Sequence, residues 1–314
     1  MTTLVTGASG FVGAALVDAL VRRGERVIGV DRAAAPDGQG RPPSAFRAID
    51  LRQSGGLDPI LAGEPVDRLV IGAAMTADAA RERSDPAAIV AVNVGAVADA
   101  VRAAAAAGVA RVLYLGSAAV YGDSGRGADT LVEDVTPLRP RSLYGITKQA
   151  GEATALRLSD TFGIDLVAAR LGTCFGPFER DTGARDTLSA PYQILRLAEA
   201  GNPVRLPRPG RRDWLYVRDT VAGIMALLDA PVLPHRVYNV AAGFEWTLAE
   251  FCERLAARRP GFDWALSDPA DATVNLFDDY DRVPMSNTRI LADTAFRPRF
   301  DLDAVADDFL GKAR

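Results

Sequence analysis

The stretch SLYGITKQAGE, residues 142 to 152, sets Tyr144 and Lys148 four residues apart at what reads as the start of a helix. Residues i and i+4 share one helical face, so a phenol and an ammonium point the same way. A tyrosine with its ordinary pKa of about 10 is a poor base at neutral pH. A nearby cation favours the phenolate and lowers that value. The pair suits moving a proton on or off an alcohol oxygen while hydride moves at the attached carbon. Such spacing also recurs by chance, so its meaning depends on what accompanies it. Ser117 closes the apolar run just before this segment and can donate to the same substrate oxygen, holding it against the tyrosine.

A second constellation stands at the N-terminus. VTGASGFVG places Gly7, Gly10 and Gly13 between an apolar run and a helical pattern, a GxxGxxG spacing. A tight turn there lets backbone amides at a helix start approach a pyrophosphate without interference from Cβ atoms. Asp31 ends the next apolar run, eighteen residues beyond Gly13. A carboxylate at that place accepts hydrogen bonds from both ribose hydroxyls of NAD and repels a 2′-phosphate. Arg32 beside it keeps NADP open, with the carboxylate expected to dominate. Asp50 ends the third apolar run, where it can bond the adenine or cap its own loop.

The elements that must position these groups follow a regular rhythm. TTLVTG, RVIGVD, FRAIDL, DRLVIGAA, RVLYLGSAAVYG and DLVAARLG read as strands. FVGAALVDALVRRG reads as a helix closed by Gly24, and SDPAAIVAVNVGAVADAVRAAAAAG as one that opens on Asp-Pro and stops at Gly108. Continuous apolar strands alternating with helices predict an α/β fold, a doubly wound parallel sheet of the Rossmann kind covered on both faces. After Gly172 the rhythm breaks into Pro-, Gly- and Arg-rich stretches. DWLYVRDTVAGIMALLDAP and HRVYNVAAG read as a strand, helix and strand returning to the first lobe. TLAE, from Thr247, opens a capping-box helix, and the tail is polar. The expected division is a dinucleotide-binding domain of residues 1–172 plus about 213–242. A smaller, discontinuous substrate lobe takes residues 173–212 plus about 243–314.

Composition narrows the classes. The 314 residues are 48% hydrophobic and 24% charged, with a net charge of −4, so nothing electrostatic argues for nucleic acid or an anionic membrane. Cys174 and Cys252 cannot form a framework of several disulfides, and a reducing compartment is the plain reading. One histidine, His235, rules out a multi-histidine metal site, and no metal is expected. The chain begins at once on a strand pattern, and no uninterrupted apolar stretch reaches membrane-spanning length. A cytoplasmic location is expected.

TGASGFVG, GSAAVYG, YGITK, FGP, RRDWLYVRD and YNVAAG together resemble the extended short-chain dehydrogenase/reductases, the NAD-dependent epimerase/dehydratase group. The resemblance runs from Thr3 to about Gly243 and implies NAD as cofactor. It implies a catalytic triad of Ser117, Tyr144 and Lys148, with Asn93 in support; the alternative for Asn93 is to satisfy backbone groups in helix packing. It further implies cofactor contacts from Gly7, Ser9, Gly10, Phe11, Gly13, Asp31, Arg32, Asp50, Leu51, Ala73, Tyr144 and Lys148. The helices Asp85 to Ala107 and Tyr144 to Asp160 are expected to pair with their copies in a homodimer.

Departures from the family pattern point to the chemistry. The 4,6-dehydratases carry an Asp-Glu pair where this chain has Ala118 and Ala119, and methyl groups cannot protonate a leaving hydroxyl. The glutamate usual in sugar-acid decarboxylases is also absent. What remains is an epimerase acting through a transient keto intermediate, or a dehydrogenase that releases NADH. Nucleotide-sugar members commonly read NVYGP where this chain reads TCFGP, with Thr173 at the asparagine position. RLGTCF is similar to the RIGSCF of uronate dehydrogenases, so a free sugar or sugar acid competes with a nucleotide sugar as substrate. Arg185 either clamps a carboxylate or phosphate or is an exposed loop arginine. Arg212 matches the family arginine near the sugar-nucleotide phosphates, and Ala118 lines the substrate side. Cys174 reads as a small filler, and His235 as a non-catalytic loop residue. A non-catalytic dinucleotide sensor is the third reading, but such proteins typically lose the tyrosine or lysine, and both are present.

Overall fold

Strands that are apolar on both faces need cover above and below, and the helices provide it. The computed structural model describes residues 1–34, 38–127, 129–181, 187–276 and 278–310. In chain order come β1 (Thr2–Thr6), α1 (Phe11–Arg22), β2 (Arg26–Asp31), β3 (Ala45–Ala48), α2 (Asp58–Gly63) and β4 (Arg68–Ile71). Then follow α3 (Ala79–Ser84), α4 (Pro86–Val90), α5 (Ala96–Ala106), β5 (Arg111–Ser117), α6 (Leu143–Phe162) and β6 (Leu166–Leu171). The chain leaves the sheet through β7 (Thr173–Phe175), α7 (Ala190–Glu199), β8 (Val204–Leu206), β9 (Arg211–Arg212) and β10 (Trp214–Tyr216). After α8 (Val217–Asp229) it returns as β11 (Val237–Val240). β12 (Trp246–Thr247), α9 (Leu248–Arg258) and β13 (Trp264–Leu266) follow, and then two short helices, Thr288–Asp293, whose Ile290 packs in the first core, and Leu302–Val305, whose Val305 packs in the second.

The main sheet has seven strands in the order β11-β6-β5-β4-β1-β2-β3, all pairings parallel. Alternate side chains feed opposite cores. Val5 and Val70 pack with Leu16 and Leu20 of α1 and Ile224 and Leu227 of α8, while Leu4 and Leu69 pack with Val97 and Val101 of α5. Each fully buried Leu or Val of this kind stabilises the fold by about 1.5–3 kcal/mol. The strand order reverses direction between β1 and β4, and ligands of such sheets bind in the crevice outside the carboxyl ends at that point.

The second lobe has its own aromatic core, built on Phe175, Trp214, Tyr216, Trp246, Phe251 and Phe309. Its two-stranded pairings are β10 with β7, β12 with β9 and β13 with β8. Thr247 and Glu250 form the expected capping box.

Several details differ from the sequence reading. β10 does not join the main sheet; it pairs with β7, and Trp214 and Tyr216 face the second core while Leu215 faces the first. α8 and β11 do return. The third strand ends at Ala48, so Asp50 lies in the turn beyond it. The polar tail still contributes Phe309 and Leu310 to a core. The helix expected from Asp85 is interrupted by a turn of π-helix, Ala91–Gly95, between α4 and α5. Pro86–Ala106 is nevertheless a 21-residue helical run long and apolar enough, by length and composition, to cross a membrane, although it is not an uninterrupted apolar stretch. Half of its most apolar window is buried inside the fold, and Asn93, Asp99 and Arg102 interrupt it.

Candidate active site

The turn between β1 and α1 is shaped by close approach. Gly7 has φ +71°, and a Cβ there would stand 2.7 Å from the Ala73 amide nitrogen at the end of β4. A Cβ at Gly13 would collide with the Gly7 carbonyl oxygen, so α1 can begin this tightly only with glycine. Thr6 Oγ1 accepts from the amides of Gly72 and Ala73 at 3.1 and 3.3 Å, tying the two strand ends together. No side chain caps α1 at Gly10, and the donors of a helix start favour an anion. The Phe11 ring is buried in the core below. This cradle fits a dinucleotide pyrophosphate.

Asp31 stands at the end of β2, where one oxygen accepts from Ser9 N at 3.0 Å and the other from Arg32 N at 2.7 Å. Ser9 Oγ donates to the Ala33 carbonyl at 2.6 Å, which pins the turn to the strand end. Arg32 is exposed. Asp50 takes the loop-capping role: it accepts from the Arg52 amide and guanidinium, and those bonds hold its carboxyl down at about 2. Leu51 packs half-buried against the core under β2 and β4.

α6, which carries Tyr144 and Lys148, packs against β5, which ends at Ser117. Ser142 caps the helix by accepting from Gly145 N at 3.1 Å. A Cβ at Gly145 would stand 2.8 Å from the Ala119 carbonyl oxygen, so the first turn of α6 presses on the segment just after Ser117. Ser117 Oγ accepts from Ala119 N at 3.2 Å, which leaves its hydrogen to be donated. Lys148 is 3% exposed. Its Nζ donates to the Leu115 carbonyl at 2.6 Å and lies 4.3 Å from the centre of the Tyr114 ring. Burial pulls Lys148 down to about 7, with the Glu152 carboxylate opposing. Tyr114 in turn donates to the Lys148 carbonyl at 3.1 Å, and burial holds its hydroxyl protonated.

Asn93 is 1% exposed and fully engaged. Its Oδ1 accepts from Met75 N at 2.8 Å, and its Nδ2 donates to the Met75 carbonyl and to Thr147 Oγ1, both at 3.0 Å. It therefore acts on the helix that carries Tyr144 and Lys148 and places no side-chain group at a reacting atom.

On the substrate side, Arg212 and Thr173 come together: Arg212 Nη1 donates to Thr173 Oγ1 at 3.4 Å, and Nη2 pairs with Asp278 at 3.0 Å. Burial and the neighbouring Arg282 pull the Arg212 guanidinium down. Ala118 is 4% exposed and turned into a small cluster with Val120, Tyr121, Leu131, Ala241 and Met285, so its methyl group packs instead of lining the cleft. Arg185 lies outside the described residues. Cys174 is half-buried, and His235 sits in a loop facing Asp293 at 3.8 Å.

Sequence reasoning missed Thr6, Tyr114, Glu152 and Arg170. For Glu152 a signal existed, since it follows Lys148 by one helical turn. It also missed Arg180, whose Nη2 donates to the Ser9 carbonyl at 2.6 Å and so links the second lobe to the glycine turn.

Residues 3–241 match the NAD dependent epimerase/dehydratase family. The chain belongs to this family, and its cofactor is NAD. It is 30% identical to the dTDP-glucose 4,6-dehydratase of Streptomyces griseus, an alignment that covers 96% of this chain and 91% of that protein. Its structure is similar to that of MoeE5 in complex with UDP-glucuronic acid and NAD, at 27% identity and a TM-score of 0.78, covering 99% of this chain and 98% of that one. The UDP-glucuronic acid 4-epimerase of Bacillus cereus, in complex with NAD, shares the fold at 19% identity and a TM-score of 0.80, covering 100% and 96% of the two chains.

Proposed function

We propose that this enzyme epimerises a nucleotide sugar, with Ser117, Tyr144 and Lys148 as its proton-handling triad. The observation that carries the reading is the buried Lys148, on the same stripe of α6 as Tyr144, beside the strand end that holds Ser117. Ser117 gives its hydrogen to the substrate oxygen and holds it at Tyr144. The Tyr144 phenolate, stabilised by the Lys148 charge, takes the alcohol proton, and the hydroxyl so formed returns it when the carbonyl is reduced. NAD, when bound, supplies the hydride acceptor and donor. The glycine turn and Asp31 hold its pyrophosphate and ribose, with Ser9 fixing the position of the Asp31 carboxylate. Arg212 offers a guanidinium to the substrate phosphates, in competition with Asp278. Ala118 and Ala119 supply no proton to a leaving hydroxyl, so dehydration, the activity named for the Streptomyces griseus relative, is not assigned here.

Net oxidation of a free sugar or sugar acid is the second reading, favoured by Thr173 beside Arg212. A non-catalytic sensor is disfavoured by the retained tyrosine and lysine. A panel of nucleotide sugars, sugars and sugar acids with NAD separates these readings. Epimeric products without accumulating NADH are expected, and Arg212→Gln should then raise KM for the nucleotide sugar more than it lowers kcat. Accumulating NADH from a free sugar or sugar acid would replace the proposal with the second reading.

The enzyme is further proposed to act as a homodimer. Val90 on α4 and Ile146 and Phe162 on α6 are exposed apolar residues that a second copy would cover; a monomer by light scattering would contradict this. Its partner is taken to be a small molecule, with neither nucleic acid nor membrane involved; half of the most apolar window in Pro86–Ala106 is buried inside the fold. The free cysteines Cys174 and Cys252 fit a cytoplasmic setting.

A further inference from the structure

Glu152 and Arg170 form an ion pair directly behind the triad, each side chain 5% exposed. Arg170 Nε and Nη2 donate to the two carboxylate oxygens at 2.9 and 2.6 Å. The third nitrogen, Nη1, donates to Tyr121 Oη at 3.0 Å, and Tyr121 passes its own hydrogen to Asn239 Oδ1 at 2.8 Å. Glu152 is one helical turn beyond Lys148 and two beyond Tyr144, on the same stripe of α6. Across the sheet, Arg170 is the register partner of Gly116. Glu152 Oε2 is 3.4 Å from where a Gly116 Cβ would stand. The pair thus abuts the backbone between Leu115, whose carbonyl holds Lys148, and Ser117.

Stability is a weak reason for such a pair, because removing two charges from water is costly and well-packed apolar side chains often replace them without loss. An apolar replacement would not supply a fixed negative charge near a buried ammonium. We infer that Glu152, locked by Arg170, is the positioning residue of the acid–base pair: its carboxylate favours the ammonium form of Lys148 against the burial that disfavours it. Through Lys148 it sets the ionisation of Tyr144. The inference rests on the reading of Tyr144 and Lys148 given above.

The other titratable groups on the packed elements do not replace Glu152. Tyr114 of β5 and Tyr121 in the turn after it are both pushed up by burial and stay neutral. Arg170 of β6 is a cation. Glu133 accepts from Asn239 N at 2.6 Å on the β11 side, and Glu82 of α3 accepts from Leu143 N at 2.7 Å at the helix start. Glu152 is the carboxylate that opposes the effect of burial on Lys148.

The chain has only two lysines, Lys148 and Lys312. Protein labelled with carbon-13 at the lysine ε-position therefore gives two resonances, and the titration of Lys148 can be read without substrate. In the wild-type, NAD-free protein it should titrate near 7. In Glu152→Gln the midpoint should fall by about one pH unit, the low end of what a close opposite charge supplies. The double variant E152Q/R170M leaves no unpaired charge and should shift it in the same direction, whereas Glu152→Asp keeps the charge and should stay close to wild type. An unchanged Lys148 midpoint in a folded, NAD-binding E152Q/R170M protein would overturn the inference. A wild-type midpoint far below 7 would overturn it without any variant. Neither result depends on the substrate, so failure of the proposed epimerisation is read separately.

Discussion

Asn93 Nδ2 donates to Thr147 Oγ1 across 3.0 Å and, with the rest of its amide, grips both backbone groups of Met75. One buried side chain thereby joins the loop after β4 to the residue before Lys148. Thr147 passes its hydroxyl hydrogen to the Tyr144 carbonyl at 3.0 Å, so the contact bears on the turn of α6 that carries Tyr144 and Lys148. The π-helical turn Ala91–Gly95 is where Asn93 enters this position, in keeping with the frequent use of such turns at functional sites.

Replacing Asn93 with Ala should leave the Met75 amide and carbonyl unsatisfied, at a cost of about 1–3 kcal/mol for a buried polar group. Denaturant unfolding should show that loss, and turnover should fall while NAD affinity changes little. Stability equal to wild type would mean that water or a neighbour replaces the clamp.

Asp31 should make NAD bind more tightly than NADP. Since its carboxylate also accepts from Ser9 N, Asp31→Ser should narrow the preference and loosen the turn, so that NAD affinity falls as the discrimination fades. Calorimetry with both cofactors reads this directly. Equal affinities in the unmodified protein would contradict the assignment.

Lys148 links stability to pH. Burial pulls it from 10.5 to about 7 in the folded, NAD-free chain. Between those values the unfolded chain binds more protons than the folded one, so stability contributed by this site rises with pH through that window. Below about 7 both states carry the proton and the folded state bears the full cost of the buried charge. Lys148→Met removes that cost, so its advantage over wild type should be largest below pH 7 and fade towards 10.5. A difference independent of pH would show that Lys148 is not the depressed group. The same variant should lose turnover and bind NAD more weakly.

Local pattern reveals the strands and their ends but not the tertiary contacts between them. The strands flanking Gly7, Asp31 and Ser117 were legible because each is a continuous apolar run ended by a chemically distinct residue. β10 was misassigned because the pattern of Trp214, Leu215 and Tyr216 says that the strand is buried on both sides and not which sheet it joins. The π turn at Asn93 has no local signature, since the hydrogen bonds of its side chain reach Met75 and Thr147. Arg170 was hidden for the reason that makes it informative: a charged residue inside a buried strand is explained only once Glu152 and Tyr121 are beside it.

In the proposed reaction Tyr144 carries the proton. Tyr144→Phe deletes only the hydroxyl and keeps the ring, so fold and NAD binding should be retained. Steady-state turnover of the epimerised substrate, followed across a pH series, is the direct measurement. General acid–base groups contribute about 10²–10⁴-fold in rate, and the Phe variant should lose activity within or beyond that range. Ser117→Ala should cost less, because it removes an orienting donor. A Tyr144→Phe enzyme that retains more than about a tenth of wild-type turnover, a loss below that range, would show that Tyr144 is not the acid–base group.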